Sequence, residues 1–136
     1  DLAVTDEIVD LYSSVLNGSL GRYAGIVGAP AIDLLVKPAL QRAQSEHKFL
    51  EAVEVKDGRL VVREISADIE VLKNGFDTLT KAIVDSLAYV FGPDEVIAET
   101  RKIYGEISRS RQQLIQDAKI AKGLPAFLSE ESWEEV

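Results

Sequence analysis

The chain contains a single histidine, His47, the only side chain it has whose unperturbed pKa lies near neutral pH. His47 follows Gln44-Ser45-Glu46 at the end of a predicted helix, where an imidazolium also interacts favourably with the helix dipole. Three interpretations stay open: a surface or helix-capping residue, a proton switch, or one axial ligand of a haem. Any mechanism that depends on histidine would have to use this residue.

The four tyrosines lie on or beside the apolar stripes of predicted helices, at Tyr12, Tyr23, Tyr89 and Tyr104. A buried tyrosine needs a partner for its hydroxyl, and helical bundles place small ligands between such side chains. The same residues also suit an ordinary core. We therefore carry a second hypothesis, in which Tyr12, Tyr23 and Tyr104 form a pocket with His47 for a small apolar or aromatic ligand.

Carboxylate pairs occur four residues apart at Asp6 and Asp10 and at Glu95 and Glu99. Such a pair can bind a hard cation, but no apolar surroundings mark either pair as one with a raised pKa. We expect solvated helix surfaces, with neighbouring cations such as Lys102 neutralising the second pair. Phosphate-binding loops, nucleophile elbows and zinc signatures are missing from the sequence. The sequence therefore assigns no catalytic residue, no metal ligand and no known cofactor.

Two further sets of residues suggest contacts with another helix or another protein. Gly21 and Gly25 are four residues apart, so they share a helix face on which a second backbone could approach closely; a flexible segment is the alternative. Arg109 and Arg111 belong to a basic cluster on the predicted fourth helix and could recognise an acidic partner or a phosphorylated ligand. Both sets are predictions of an interaction surface.

Apolar residues spaced three and four apart predict four helices, over about residues 5–27, 30–47, 66–91 and 93–122. The apolar stripes of the first and third helices extend to Ile26, Val27 and Val90, so we expect these residues to face the core. Thr5 and Ser66 are the expected N-caps of the first and third helices, and Pro30 and Pro93 suit the first turns of the second and fourth. Pro38 predicts a kink near residues 34–37. A tail over residues 124–136 follows Gly123.

Between the second and third helices the apolar period changes to two, over about residues 50–65. Asp57-Gly58 stands at the centre of this stretch, and this dipeptide favours a type I′ turn between two strands. The fold class is therefore mainly α (α+β): one domain over residues 1–136, resembling a four-helix bundle, with a β-hairpin inserted between helices two and three.

Composition bounds the setting of this domain. With 23 acidic and 15 basic residues the formal net charge is -8, which argues against nucleic acid as a partner. The absence of cysteine fits a reducing, cytoplasmic compartment, and no apolar run reaches the ~20 residues of a membrane span. The sequence also lacks methionine, so we expect it to be a piece of a longer chain.

These observations favour a non-enzymatic regulatory, sensory or assembly module that binds a second copy of itself, as a homodimer, or another protein partner. Four amphipathic helices, small residues on a helix face and a hairpin edge all suit such contacts. The alternatives are a domain that binds a small apolar ligand or haem between its helices and, least favoured, a carboxylate- or metal-dependent enzyme.

Overall fold

The four predicted helices are present in the computed structural model, which describes residues 2–111 and 113. They are α1 (Leu2–Val27), α2 (Ala29–Glu46), α3 (Ile69–Phe91) and α4 (Pro93–Ser110). A short 3₁₀ helix (Lys48–Ala52) and the strands β1 (Val53–Lys56) and β2 (Arg59–Val62) lie between α2 and α3. The prediction of a mainly helical domain with a hairpin between its second and third helices is confirmed.

Both predicted N-caps, Thr5 and Ser66, are wrong. α1 begins at Leu2, so Thr5 lies inside the helix, where its side chain is buried. α3 begins at Ile69 with Asp68 in the N-cap position, so Ser66 lies in the irregular segment before the helix, next to the buried side chain of Ile65. The predicted continuation of the fourth helix over residues 114–122 and the tail over 124–136 lie outside the described residues.

The hairpin is shorter than predicted because the segment before β1 forms the 3₁₀ helix and buries Leu50. Its turn has positive φ angles at Asp57 (55°) and Gly58 (78°), which are the signs that a type I′ turn requires. Gly58 is also needed for space, because a Cβ atom there would lie 3.2 Å from the Cβ of Ala24 and 3.1 Å from that of Ala29. The turn is thus packed where α1 meets α2.

The contacts of Tyr12 with Asp77 and of Tyr23 with Phe91 show that α1 and α3 run in the same direction. The ion pairs between α1 and the α4 region run in the opposite order along the chain, so α4 is antiparallel to α1.

The core lies between these helices. Its largest buried side chains include Leu11, Leu16, Leu50, Phe76 and Ile83. The predicted apolar stripes are correct through the middle of α1 and α3 but not at their last turns. There Ile26, Val27 and Val90 are 64%, 43% and 54% exposed.

The helix α2 contains two prolines with different consequences. Pro30 lies in the first turn, as predicted, where no intrahelical donor is required. Pro38 lies inside the helix, and because it has no N–H it cannot donate to the carbonyl of Leu34. The helix nevertheless continues to Glu46.

Candidate functional site

His47 caps α2 and connects it to α3. Its backbone N–H donates to the carbonyl of Ala43 (2.9 Å), and its Nε2 lies 3.1 Å from the hydroxyl oxygen of Thr78. That hydroxyl donates its one hydrogen to the carbonyl of Asn74 (3.0 Å), so Nε2 must be the donor to Thr78. His47 therefore links the end of α2 to α3 through these two hydrogen bonds.

Next to His47, the ring of Phe49 lies directly over α3 at Gly75. A Cβ atom at Gly75 would lie 2.3 Å from Cζ of Phe49, a separation that real Cβ contacts do not adopt. The Phe49 ring also lies beside Phe76, with 6.1 Å between the ring centroids. Sequence reasoning missed Gly75, because a glycine inside an amphipathic helix carries no signal for a ring more than twenty residues away.

Tyr12 belongs to a polar network between α1 and α3. Its hydroxyl donates to Oδ1 of Asp77 (2.6 Å), while Oδ2 of Asp77 lies 3.0 Å from Nζ of Lys73. Its ring is fully buried and stacks on Phe76 at 5.0 Å. Burial, and then the negative charge of Asp77, raise the pKa of Tyr12 far above its ordinary value. The hydroxyl thus stays protonated and acts as a donor that joins two helices.

The other two predicted ligand-binding tyrosines also belong to the helix packing. Tyr23 is buried and stacks on Phe91 with 4.3 Å between ring centroids, which brings the end of α1 against the end of α3. Burial, followed by the charge of Glu95, raises the pKa of Tyr23, and burial alone raises that of Tyr104. Neither His47 nor any of the three predicted ligand-binding tyrosines lines either of the two surface grooves beside the hairpin.

Gly21 and Gly25 lie on an exposed face of α1, and nothing in the described chain comes within 4 Å of a Cβ placed at either. The close contact inside the bundle is made instead at Gly18, where a Cβ would lie 2.8 Å from Cγ2 of Ile103 on α4. A contact of Gly21 and Gly25 with another molecule stays a prediction.

The predicted basic residues differ in their surroundings. Arg111 forms an ion pair with Asp10 on α1, with 2.6 Å between Nη2 and Oδ2. Arg109 is exposed in the last turn of α4, where a cation interacts favourably with the helix dipole. Asp10, one of the carboxylates weighed above as a cation ligand, is therefore engaged by an arginine.

The second carboxylate pair is neutralised across helices. Arg22 on α1 lies 3.3 Å from an Oε atom of Glu95 and 3.5 Å from one of Glu99. The sequence predicts neutralisation by neighbours on α4 such as Lys102, whereas the ion pairs of these carboxylates are formed with α1. Within residues 2–111 and 113, no three or more His, Asp or Glu side chains are grouped so that they could hold a metal ion.

Three polar side chains attach the hairpin to α1 and α2. The amide of Asn17 both accepts from the N–H of Leu60 (2.7 Å) and donates to its carbonyl (3.1 Å), as a neighbouring strand would. Asp33 accepts the N–H of Gly58 in the turn at 2.8 Å. Gln44 donates to the carbonyls of Leu50 (3.1 Å) and Val53 (3.0 Å). Sequence reasoning found none of these attachments.

Each outer edge of the hairpin faces a helix across a surface groove. The groove between β2 and α1 has a volume of about 760 Å³ and is lined by polar residues such as Asp10 and Ser14. The groove between β1 and α2, here called the β1 groove, has a volume of about 720 Å³. Its lining includes Leu34, Lys37, Leu40, Val53, Val55 and Lys56.

The end of the bundle at which α1 and α3 finish carries exposed apolar side chains. Tyr89 is 92% exposed, and Ile26, Val27 and Val90 are each more than two-fifths exposed. The stacking of Tyr23 on Phe91 brings these two helix ends together. We call these four exposed residues the apolar end.

No helix within the described residues is long and apolar enough to cross a membrane. Comparison of the chain with protein-family models, curated proteins and solved structures gave no match. Its function has to be inferred from its own residues.

Proposed function

We propose that this domain is a non-enzymatic regulatory or assembly module that binds a second copy of itself through the apolar end. The observation that carries the proposal is the exposure of Ile26, Val27, Tyr89 and Val90 at adjoining helix ends. Burial of a large apolar side chain contributes about 1.5–3 kcal/mol, so several exposed together favour association.

A second copy is the partner that this surface suits best. In a two-fold dimer each surface meets its own copy, so a surface rich in charge would place like charges opposite one another. That cost is large for a chain with a net charge of -8. The four side chains of the apolar end are uncharged, and the nearby Glu95 is already paired with Arg22. Asp94 nearby is an exposed carboxylate, so two acidic copies meet there with less repulsion than across a surface rich in charge, but not with none.

The side chains that could take part in catalysis have structural contacts instead, which favours an interaction module over an enzyme. His47 caps a helix, the Tyr12 hydroxyl donates to Asp77, and the Glu95 carboxylate pairs with Arg22. Each of these groups is used in holding helices together. A cytoplasmic setting belongs to the same proposal, because a cysteine-free chain suits a reducing compartment.

Sedimentation velocity from micromolar to near-millimolar protein tests this proposal. We expect the wild-type chain to shift from monomer to dimer as its concentration rises. A double variant, Ile26→Glu with Tyr89→Glu, should stay monomeric, because dimer formation would bury four carboxylates across the interface.

The matched control places the same charges on exposed valines elsewhere, Val61→Glu with Val71→Glu, which are 41% and 48% exposed. This variant should dimerise like the wild type. A wild-type chain that stays monomeric over the whole concentration range contradicts the proposal. So does a control variant that loses association as completely as the test variant.

A further inference from the structure

The β1 groove contains backbone groups that neither the hairpin nor α2 uses. Lys56 and Arg59 form the pair next to the two-residue turn, and Val55 pairs with Leu60 one step further. Ladder hydrogen bonds alternate in an antiparallel pair, so the N–H and carbonyl of Val55 point away from β2. On the helical side, Pro38 leaves the carbonyl of Leu34 without its usual N–H donor.

On the other edge of the hairpin, the residue paired with Val55 is Leu60, and its outward backbone groups are already hydrogen-bonded. The outward N–H and carbonyl of Leu60 on β2 are both taken by the side-chain amide of Asn17. On β1, both outward groups of Val53 have partners: its carbonyl accepts from Gln44, and its N–H donates to the carbonyl of Leu50. Within residues 2–111 and 113, no hydrogen bond reaches the outward groups of Val55, which pairs with Leu60. The outer edge of β1 is thus open at Val55 alone.

The walls of the β1 groove suit apolar side chains of an extended segment. Leu34 lines it and is 76% exposed, while Leu40 and Val53 are buried beneath. The volume of about 720 Å³ is within the range of pockets that bind ligands. Side chains of an added strand alternate between two faces, so every second one would point toward these walls.

The charges at the groove favour an acidic guest. Lys37 and Lys56 line it, and the ion pairs found within the described chain involve neither of them. Both acidic residues of the lining have other contacts: Asp33 accepts the N–H of Gly58, and Glu54 lies 3.8 Å from Arg63. Lysines at a strand edge also hinder pairing with another such edge. A strand with acidic side chains would instead be attracted by Lys37 and Lys56.

We propose that the β1 groove binds an extended peptide segment of a partner protein, added as a third strand beside β1, whose apolar residues are flanked by acidic ones. The net charge of -8 repels such a segment at long range. At physiological ionic strength that repulsion is screened beyond about 8 Å, so the two lysines at the groove dominate the charge interaction. This surface is separate from the apolar end.

Fluorescence anisotropy with a labelled synthetic peptide tests the proposal on the full chain. The probe has alternating valine and threonine residues with two glutamates at each end. Two companion probes replace the glutamates by lysines or methylate the backbone nitrogens, which removes the hydrogen-bond donors. We expect the acidic probe to bind at least about tenfold more tightly than either companion.

Protein variants identify the groove as the binding site. Lys37→Glu with Lys56→Glu should weaken the acidic probe about tenfold or more, because two attractive contacts become repulsive. The matched control, Lys81→Glu with Lys102→Glu, makes the same charge change at exposed positions of α3 and α4 and should leave affinity nearly unchanged. In the wild-type complex, hydrogen exchange at the Val55 amide should slow.

The proposal is overturned if the acidic probe shows no saturable binding or binds no better than the basic one. Equal losses in the groove variant and the control variant would also overturn it, because they would reduce the effect to net charge. Binding of the acidic probe with unchanged exchange at Val55 would place it elsewhere and count against an added strand. None of these outcomes depends on self-association at the apolar end.

Discussion

The two ends of the helical bundle differ in how their large side chains are used. At the end near the start of α3, Phe49 lies over Gly75 and His47 donates to Thr78. At the opposite end, Tyr89 is almost fully exposed and Val90 is half-exposed beside it. We refer to the first as the closed end, and it consists of contacts made within one chain.

This difference distinguishes residues that stabilise the folded chain from exposed residues that are available to contact a second copy. Polar and aromatic groups at the closed end, and the Tyr12–Asp77 pair in the same turn of α3, contact residues distant in sequence. Their substitution should reduce stability and leave association unchanged. Substitution at the apolar end should do the reverse. Four predictions, given from the largest effect to the smallest, test this separation.

The largest effect is expected at the closed end, from Gly75→Val. The new side chain would overlap the Phe49 ring, since even a Cβ would lie 2.3 Å from its Cζ. We expect a loss of about 3 kcal/mol in the free energy of unfolding, measured by urea denaturation, because overpacking forces the ring out of its site. Gly21→Ala on the open face of α1 is the control and should raise stability by up to about 1 kcal/mol. Equal stability of Gly75→Val and the wild type would refute the close packing.

The next effect concerns the polar network between α1 and α3. Tyr12→Phe removes the donor to Asp77 while leaving the ring stacked on Phe76. A hydrogen bond to a charged group contributes about 2 kcal/mol, and we expect a loss of this size in the free energy of unfolding. Tyr104→Phe, a half-buried tyrosine on α4, should change stability by less than about 0.5 kcal/mol. Similar losses in both variants would argue against a specific role for the Tyr12 hydroxyl.

Because the pKa of Tyr12 is raised in the folded state, we expect the free energy of unfolding to decrease at alkaline pH. Burial raises the pKa of Tyr12 in the folded state above its ordinary value of 10.0. The unfolded chain therefore loses this proton first, so the stabilisation is complete below pH 10 and decreases as the pH rises above it. The loss should approach about 1.4 kcal/mol per pH unit from this group. Tyr12→Phe should show a shallower decline in denaturation series, and an unchanged decline would show that other groups cause it.

The smallest effect on stability is expected at the apolar end. Ile26→Ser and Tyr89→Ser replace side chains that are 64% and 92% exposed, so the free energy of unfolding of the monomer should change by less than about 0.5 kcal/mol. Thermal denaturation at low micromolar concentration, where the monomer dominates, measures this. A loss above 2 kcal/mol would mean that these residues belong to the core after all.

The sequence predicted those parts of the fold that depend on neighbouring residues. The helical period and the Asp57-Gly58 turn are local signals, and both led to the correct elements. Periodicity shows which face of a helix is apolar but not where the core ends, so Ile26 and Val90 were wrongly expected to be buried. The exposure of the apolar end was therefore not predicted from the sequence, and the structure was needed to identify it.

The attachments of the hairpin lay beyond the reach of sequence patterns for a different reason. Asn17 and Asp33 contact residues 43 and 25 positions further along the chain. No local motif marks an amide or a carboxylate for such a distant backbone partner. The difference between the closed edge of β2 and the open edge of β1 follows from the contact of Asn17 with Leu60.

Distances between spin labels on two copies test the proposed association most directly. The chain has no cysteine, so Asp94→Cys near the apolar end and Lys48→Cys near the closed end each give one labelled site. The helices are roughly 30 Å long, so association through the apolar end predicts a clearly shorter distance between labels at residue 94 than at residue 48. A shorter distance at residue 48, or no dipolar coupling at either site in concentrated protein, would contradict the account.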